Sequence, residues 1–167
     1  GDPGFGIRLS IYYPMGSDES MNPSESNDGG RRSMSRYEMD AGNTELSRPY
    51  RQLYKGIEIA NHCIDNIPQM SAYKGEQGAD KQKEARRMYG EALTLRAQFY
   101  LTLINVWGDV PAPMVPAAKN PEEFPQKEDR DKVFEKLLAD LQTAKEHLPW
   151  RDEVAADERI TKSAAMA

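Results

Sequence analysis

Residues 84–111, EARRMYGEALTLRAQFYLTLINVWGDVP, form the longest uninterrupted helical pattern in the chain. Apolar residues recur at Met88, Ala92, Leu95, Phe99, Leu103 and Val106, the spacing of one helix face. A second row at Ala85, Tyr89, Leu93, Ala97, Tyr100 and Ile104 widens that face beyond a surface stripe. A helix this apolar is expected to pack against neighbours on at least two flanks. Gly108 can close it in the left-handed conformation, and Pro111 and Pro113 forbid continuation. Trp107 is large enough to pin the helix end to what lies beneath.

Composition narrows the classes. At 167 residues the chain is enough for one domain or a piece of a larger one. A net charge of −5 gives no electrostatic footprint for nucleic acid. The single cysteine, Cys63, excludes an internal disulfide and a multi-cysteine metal site. No run of about eighteen apolar residues exists to span a membrane as a helix. The opening GDPGFGIRLS resembles neither a signal peptide nor a natural initiator, so a processed or truncated start is expected.

Outward from the central helix, the pattern is mostly helical. Leu46, Tyr50, Leu53, Tyr54, Ile57, Ala60, Ile64 and Ile67 give a helix over about 46–67, capped by Asn43 or Thr44 and broken at Pro68. Cys63 shares its face and reads as a small buried hydrophobe. With the helix at about 80–107 it makes an antiparallel pair. Residues 112–128 carry four prolines and read as an extended surface connector. Asp129 or Asp131 caps a helix over about 130–148, with Val133, Phe134, Leu137, Leu138, Leu141, Ala144 and Leu148 inward. Thr161 opens a further helix over 161–167, and a helix start without a body suggests an incomplete polypeptide. Upstream, residues 7–13 read as the last turns of a helix. Residues 15–45, rich in Ser, Asn, Asp and Gly, read as a long polar loop. The expected class is all-α, with antiparallel helix pairs of divergent tetratricopeptide-like α-solenoid type.

Four segments, in order, carry a resemblance. YRQLYKGIEIANHCIDNI resembles the "W..lY..I..aN..i..i" helix of the SusD/RagB family, the surface glycan-binding lipoproteins of Bacteroidetes-type bacteria. GEALTLRAQFYLTLINVWGDVPAP is similar to its "gEA.fLRA..yf.L...yGdvPl" signature, DKVFEKLLADLQTAKEHLPW to "e.vy..I..DL..A...Lp", and ERITKSAAMA to "gR.tk.aA.al". The ordered set covers roughly residues 45–167. Tyr50 stands where the family usually has Trp, Trp107 where it has an aromatic such as Tyr, and Glu158 where a small residue precedes the arginine. MGSDES also resembles the family's short "tDe" motif.

The resemblance implies an N-terminal helical-repeat portion, 1–167, of one larger domain. It implies an outer-membrane, surface-exposed lipoprotein anchored by a lipid on a cysteine outside this sequence. Such a protein caps a SusC-like TonB-dependent transporter and captures oligosaccharide or polysaccharide for import, without catalysis and without a cofactor. The loop between the first two helices would contribute to the glycan pocket, which selects Asp18, Arg36, Tyr37 and Tyr50. These fit the chemistry: aromatic faces stack on sugar C–H surfaces, and Asp and Arg bond paired hydroxyls. Glu19, Asn27, Asp28, Arg31 and Arg32 belong to the same palette, which equally suits a solvated loop.

Other residues read as structural. Arg96, in a largely apolar helix, needs a buried partner such as Glu91 or a neighbouring helix's carboxylate or carbonyls. Asn61 ties helix to loop, and Asp109 bonds the GDVP turn. A calcium site from Asp18, Glu19, Glu25 and Asp28 lacks the EF-hand spacing, so no metal is assigned. No GxSxG, GxxxxGK[ST], HExxH or GxGxxG occurs, and no carboxylate pair is marked for glycoside hydrolysis. The other class is a helical-repeat protein–protein interaction scaffold, which the long polar loop and the connector disfavour.

Overall fold

The computed structural model describes residues 14, 16–19, 29–154 and 159–167. The helix turns expected at 7–13, together with Glu25, Asn27, Asp28 and Glu158, lie outside them. The chain divides into two compact units, residues 1–54 and 55–167. Five α-helices are described: α1 (Gly29–Ser35), α2 (Thr44–Asn66), α3 (Ala79–Trp107), α4 (Arg130–His147) and α5 (Lys162–Met166). One short antiparallel ladder pairs β1 (Val110–Pro111) with β2 (Lys127–Glu128).

In the first unit, α1 lies inside the stretch read from sequence as a loop, and corrects that reading. Gly and Ser are weak helix formers, so burial and side-chain clamping hold these roughly two turns rather than propensity. Met34 is buried, and Asn43 Nδ2 donates to Gly30 O at 2.9 Å and to Ser33 Oγ at 3.0 Å. Asn43 also caps α2, its Oδ1 accepting from Glu45 N at 2.9 Å. Pro49 sits inside α2 and is almost wholly buried, a feature the helical period passed over.

In the second unit, α3 is the centre. Its buried residues are Ala85, Gly90, Ala92, Leu93, Thr94, Arg96, Ala97, Tyr100, Leu103 and Ile104. The second apolar row therefore carries more of the core than the first, whose Leu95 is exposed. The part of α2 from Lys55 onward runs antiparallel to α3. Gly56 meets the Phe99 ring, so closely that a Cβ there would lie 2.6 Å from it, and Asn61 meets Arg96. The α4 helix also runs antiparallel to α3: Gly90 faces Ala144 and Leu148, and Arg96 faces Asp140. Asp129 caps α4 by accepting from Asp131 N at 2.8 Å. Leu93, Ala144, Leu148 and Ala165 form one core cluster, with Ile64, Tyr89, Leu141 and Ile160 packed around it. Cys63 is a free thiol and only half-buried.

Two residues expected inward on α4 are not. Phe134 and Leu138 are 45% and 52% exposed. The side of α4 facing α3 carries Val133, Leu137, Asp140, Ala144 and Leu148, roughly one strip. Phe134 and Leu138 fall on the next flank, where with Leu101 and Met166 they line an apolar groove of about 410 Å³.

The α3 helix ends at Gly108, whose φ of 70° is the left-handed value expected and whose N–H donates to Ile104 O at 3.1 Å. Asp109 Oδ1 accepts from Arg130 N at 3.1 Å, tying the turn to the start of α4.

Candidate functional site

Among the described residues of the first unit, the exposed aromatic is Tyr37, 73% accessible. Its backbone occupies the left-handed region, φ 59°, just past the C-terminus of α1. Three bonds fix that bend: Arg36 N to Arg32 O, Tyr37 N to Met34 O, and Glu38 N to Ser33 O, at 3.1, 3.1 and 2.8 Å. The Tyr37 hydroxyl donates to Gly16 O at 2.7 Å. Gly16, itself at φ 85°, lets the ring lie against the backbone, since a Cβ there would sit 3.3 Å from ring carbons. The ring is thus held at both its root and its tip while its surface stays open.

That contact brings three of the four selected residues, Asp18, Arg36 and Tyr37, into one stretch of the unit. Asp18 lies in the exposed bend two residues beyond Gly16. Arg36, exposed, immediately precedes Tyr37 at the end of α1. Tyr50 belongs to a different local group on α2, its ring 4.8 Å from that of Tyr54, tilted by 52°. Sequence reading missed Gly16 and Gly30. The one accepts the phenol, and the other's carbonyl takes the Asn43 amide. Both roles depend on contacts across many residues.

Arg96 serves the fold. It is 5% exposed and forms a fork on Asp140, Nε to Oδ2 and Nη2 to Oδ1, both 2.7 Å. Its Nη1 donates to Asn61 Oδ1 and to Met114 O, each at 2.8 Å. Asn61 Nδ2 donates to Pro113 O and Val115 O, and the Tyr100 hydroxyl to Pro113 O at 2.7 Å. Three helices and the connector therefore meet on one polar node. Burial pushes the Tyr100 hydroxyl well above the usual phenol range, so it stays a donor.

A second group joins the N-terminal part of α3 to the end of α4. Tyr89 stands edge-on to Tyr73 and His147, with centroids 5.6 and 5.4 Å away, and the Arg86 guanidinium lies 5.8 Å over Tyr73. Burial, then the Arg86 charge, lowers the His147 pKa, while burial raises that of Tyr89. An open cavity of about 690 Å³ beside it is lined by Lys83, Arg86, Arg87, Glu146, His147 and Glu153 among others. Acids and bases are mixed there, so no one charge is selected. Among the described residues no group of three or more His, Cys, Asp or Glu is placed to hold a metal ion. Among them also, no helix is long and apolar enough to cross a membrane.

The comparisons with known proteins agree with this architecture. Residues 14–167 match the profile of a SusD-like family described as starch-binding and associating with the outer membrane. SusD-like protein P25 of Formosa agariphila is 28% identical over 103 residues, which is 62% of this chain and 18% of that protein. A solved laminarin-binding SusD-like protein superposes with a TM-score of 0.75 at 24% identity, covering 97% of this chain and 33% of that one. A structure determined with xylogluco-oligosaccharide gives 0.72 at 19% identity, covering 95% and 29%. The chain thus spans about a fifth to a third of these relatives' lengths. At such identities the superpositions show the fold, a tetratricopeptide-like helical one. The profile match extends over nearly the whole chain, and the chain belongs to the SusD-like family.

Proposed function

We propose that this chain is part of a non-catalytic cell-surface protein that captures oligosaccharide or polysaccharide for import through a SusC-like TonB-dependent transporter. In this reading the protein is held at the outer membrane by a lipid on an N-terminal cysteine outside the sequence. The family match over residues 14–167 carries it, and the laminarin and xylogluco-oligosaccharide named for two structural relatives support the ligand class.

Within the chain, Tyr37 and Asp18 form the sugar-facing surface, with Arg36 beside them and Tyr50 as a second aromatic. A ring fixed by its hydroxyl and by the α1 terminus loses little freedom on stacking, so more of its contact energy appears as affinity. Affinity electrophoresis of the full-length protein against a polysaccharide panel, with product analysis alongside, tests the reading. Retardation by one glycan class without cleavage is expected, together with copurification of an outer-membrane transporter. Cleavage would make the protein an enzyme. Absence of retardation by every glycan would overturn the capture reading while leaving the fold untouched.

A further inference from the structure

The connector between β1 and β2 carries an exposed phenyl ring among hydrogen-bonding groups that the fold leaves open. Phe124 is 78% exposed, the most accessible of the exposed large hydrophobic residues described. A lone surface apolar residue needs no explanation by itself. Its mount and its neighbours make this one different.

The excursion is closed at its base by the β1–β2 ladder, Val110 opposite Glu128 and Pro111 opposite Lys127. Its first half is strapped down residue by residue. The carbonyls of Pro113, Met114 and Val115 accept from Tyr100, Arg96 and Asn61. Ala117 N donates to the Glu58 carboxylate at 2.9 Å, and Lys119 Nζ pairs with Asp65 at 2.6 Å. The second half is braced by its own side chains. Asn120 Oδ1 accepts from Glu122 N at 3.1 Å, Gln126 Nε2 donates to Phe124 O at 3.4 Å, and Pro121 and Pro125 fix φ on either side of the tip.

We infer that Phe124 is the platform of a second sugar contact, stacking on a pyranose ring of the captured glycan and built from residues other than those around Tyr37. The inference rests on the capture reading for its ligand class, and on the second unit alone for its geometry. Each brace engages only half of an amide. Among the described residues, Asn120 Nδ2 and Gln126 Oε1 have no partner, nor have the exposed Glu122 and Glu123 carboxylates or the exposed Lys127 ammonium. Lys119 and Glu128, by contrast, are paired within the chain, with Asp65 and Lys136. The ring is therefore flanked along the chain, before and after, by open acceptors and donors, the groups that bond neighbouring hydroxyls while an aromatic face meets the sugar C–H surface.

The same neighbours disfavour an apolar protein pocket. Burying the ring in one would strip water from Glu122, Glu123 and Lys127, and the fully buried cores of protein interfaces are depleted in such charges. A sugar covers the ring face and brings hydroxyls to those groups. The braced tip adds to affinity, because a ring already in place loses little freedom on stacking.

The test uses the full-length protein in native gels cast with each polysaccharide of the panel, laminarin and xyloglucan among them. For the glycan that retards the parent, Phe124→Ala should weaken retention about threefold to tenfold, and Phe124→Tyr, which keeps a ring, should retain most of it. Direct contact is read by fluorine NMR with para-fluorophenylalanine at position 124. Its resonance should shift on saturation with oligosaccharides of that glycan, in the parent and in a Tyr37→Ala background alike. The same label at exposed Lys132 on α4 should not move. Unchanged retention by Phe124→Ala would overturn this contact and leave the capture reading standing. So would a resonance at position 124 that stays still on saturation, whatever the retention, or one shifted by a copurifying protein and not by the glycan. A parent retarded by no polysaccharide would remove the capture reading and this contact with it.

Discussion

Asp140→Asn is the most informative single change to the fold. The Asp140 carboxylate takes both arms of the Arg96 fork at 2.7 Å, and the two side chains are 11% and 6% exposed. The amide is isosteric, keeps one acceptor, and points an N–H at a guanidinium N–H. The buried arginine then keeps its bonds to Asn61 and Met114 but loses its counter-charge. Leaving a buried charge unpaired costs about 3–5 kcal/mol, and the retained acceptor places this case near 3 kcal/mol. For a domain of this size that corresponds to a fall in Tm of about 6–12 °C. Urea titration followed by far-UV circular dichroism measures it. Arg96→Met combined with Asp140→Leu should cost less than the two single changes added, since the double variant buries no charge. It should still fall short of the parent, because Met114 O and Asn61 Oδ1 lose their donor. A loss below about 1 kcal/mol for Asp140→Asn, or additivity of the pair, would refute the description of this node as a desolvated ion pair holding three helices.

Gly90→Ala should destabilise by about 1–3 kcal/mol despite the better helix former, because the added Cβ would sit 3.1 Å from Ala144 O and 3.0 Å from Leu148 Cγ; chemical denaturation reports it, and a gain in stability would contradict the close α3–α4 approach. His147 has a folded pKa below its ordinary 6.5, so below that pH the unfolded chain takes up the proton first and stability falls as pH drops towards the lowered value. His147→Gln should flatten the part of the stability profile that falls away below the ordinary value of 6.5, and an unchanged slope would point to other groups. Tyr37→Ala should lower glycan affinity by about tenfold or more while changing stability by no more than about 1 kcal/mol, the worth of one exposed hydrogen bond; isothermal titration and thermal melts separate the two effects, and unchanged affinity would remove Tyr37 from the site.

The helical patterns were legible because periodicity is local. The rows through Ala85–Ile104 and Leu46–Ile67 identify helices without any knowledge of neighbours, and Asn43, Gly108 and Asp129 mark ends through bonds a few residues long. The α1 helix was not legible, since GGRRSMS has no helical preference and depends on Met34 burial and the Asn43 clamp. The orientation of α4 was half legible. Seven apolar residues mark a helix but span too wide an arc to say which strip meets α3, so Phe134 and Leu138 fell on the open flank. Of the proposed site, residue chemistry gave only a broad polar and aromatic palette, from which the family resemblance selected Tyr37 and Asp18 with Arg36 and Tyr50. The proximity of Tyr37 to the Asp18 bend rests on a hydroxyl-to-carbonyl bond spanning 21 positions.

The sequence by itself determined the long helices, their breaks and the family, because spacing, caps and ordered motifs are properties of short segments. It also required a partner for Arg96, since a charge in an apolar helix cannot stay bare. Only the tertiary structure decided that the partner is Asp140 rather than Glu91, which takes Arg159 instead. It alone decided that three consecutive connector carbonyls are pinned and that Tyr37 stands open over Gly16. These outcomes depend on which distant groups reach hydrogen-bonding distance, and that distance is fixed by helix packing rather than by local residue order.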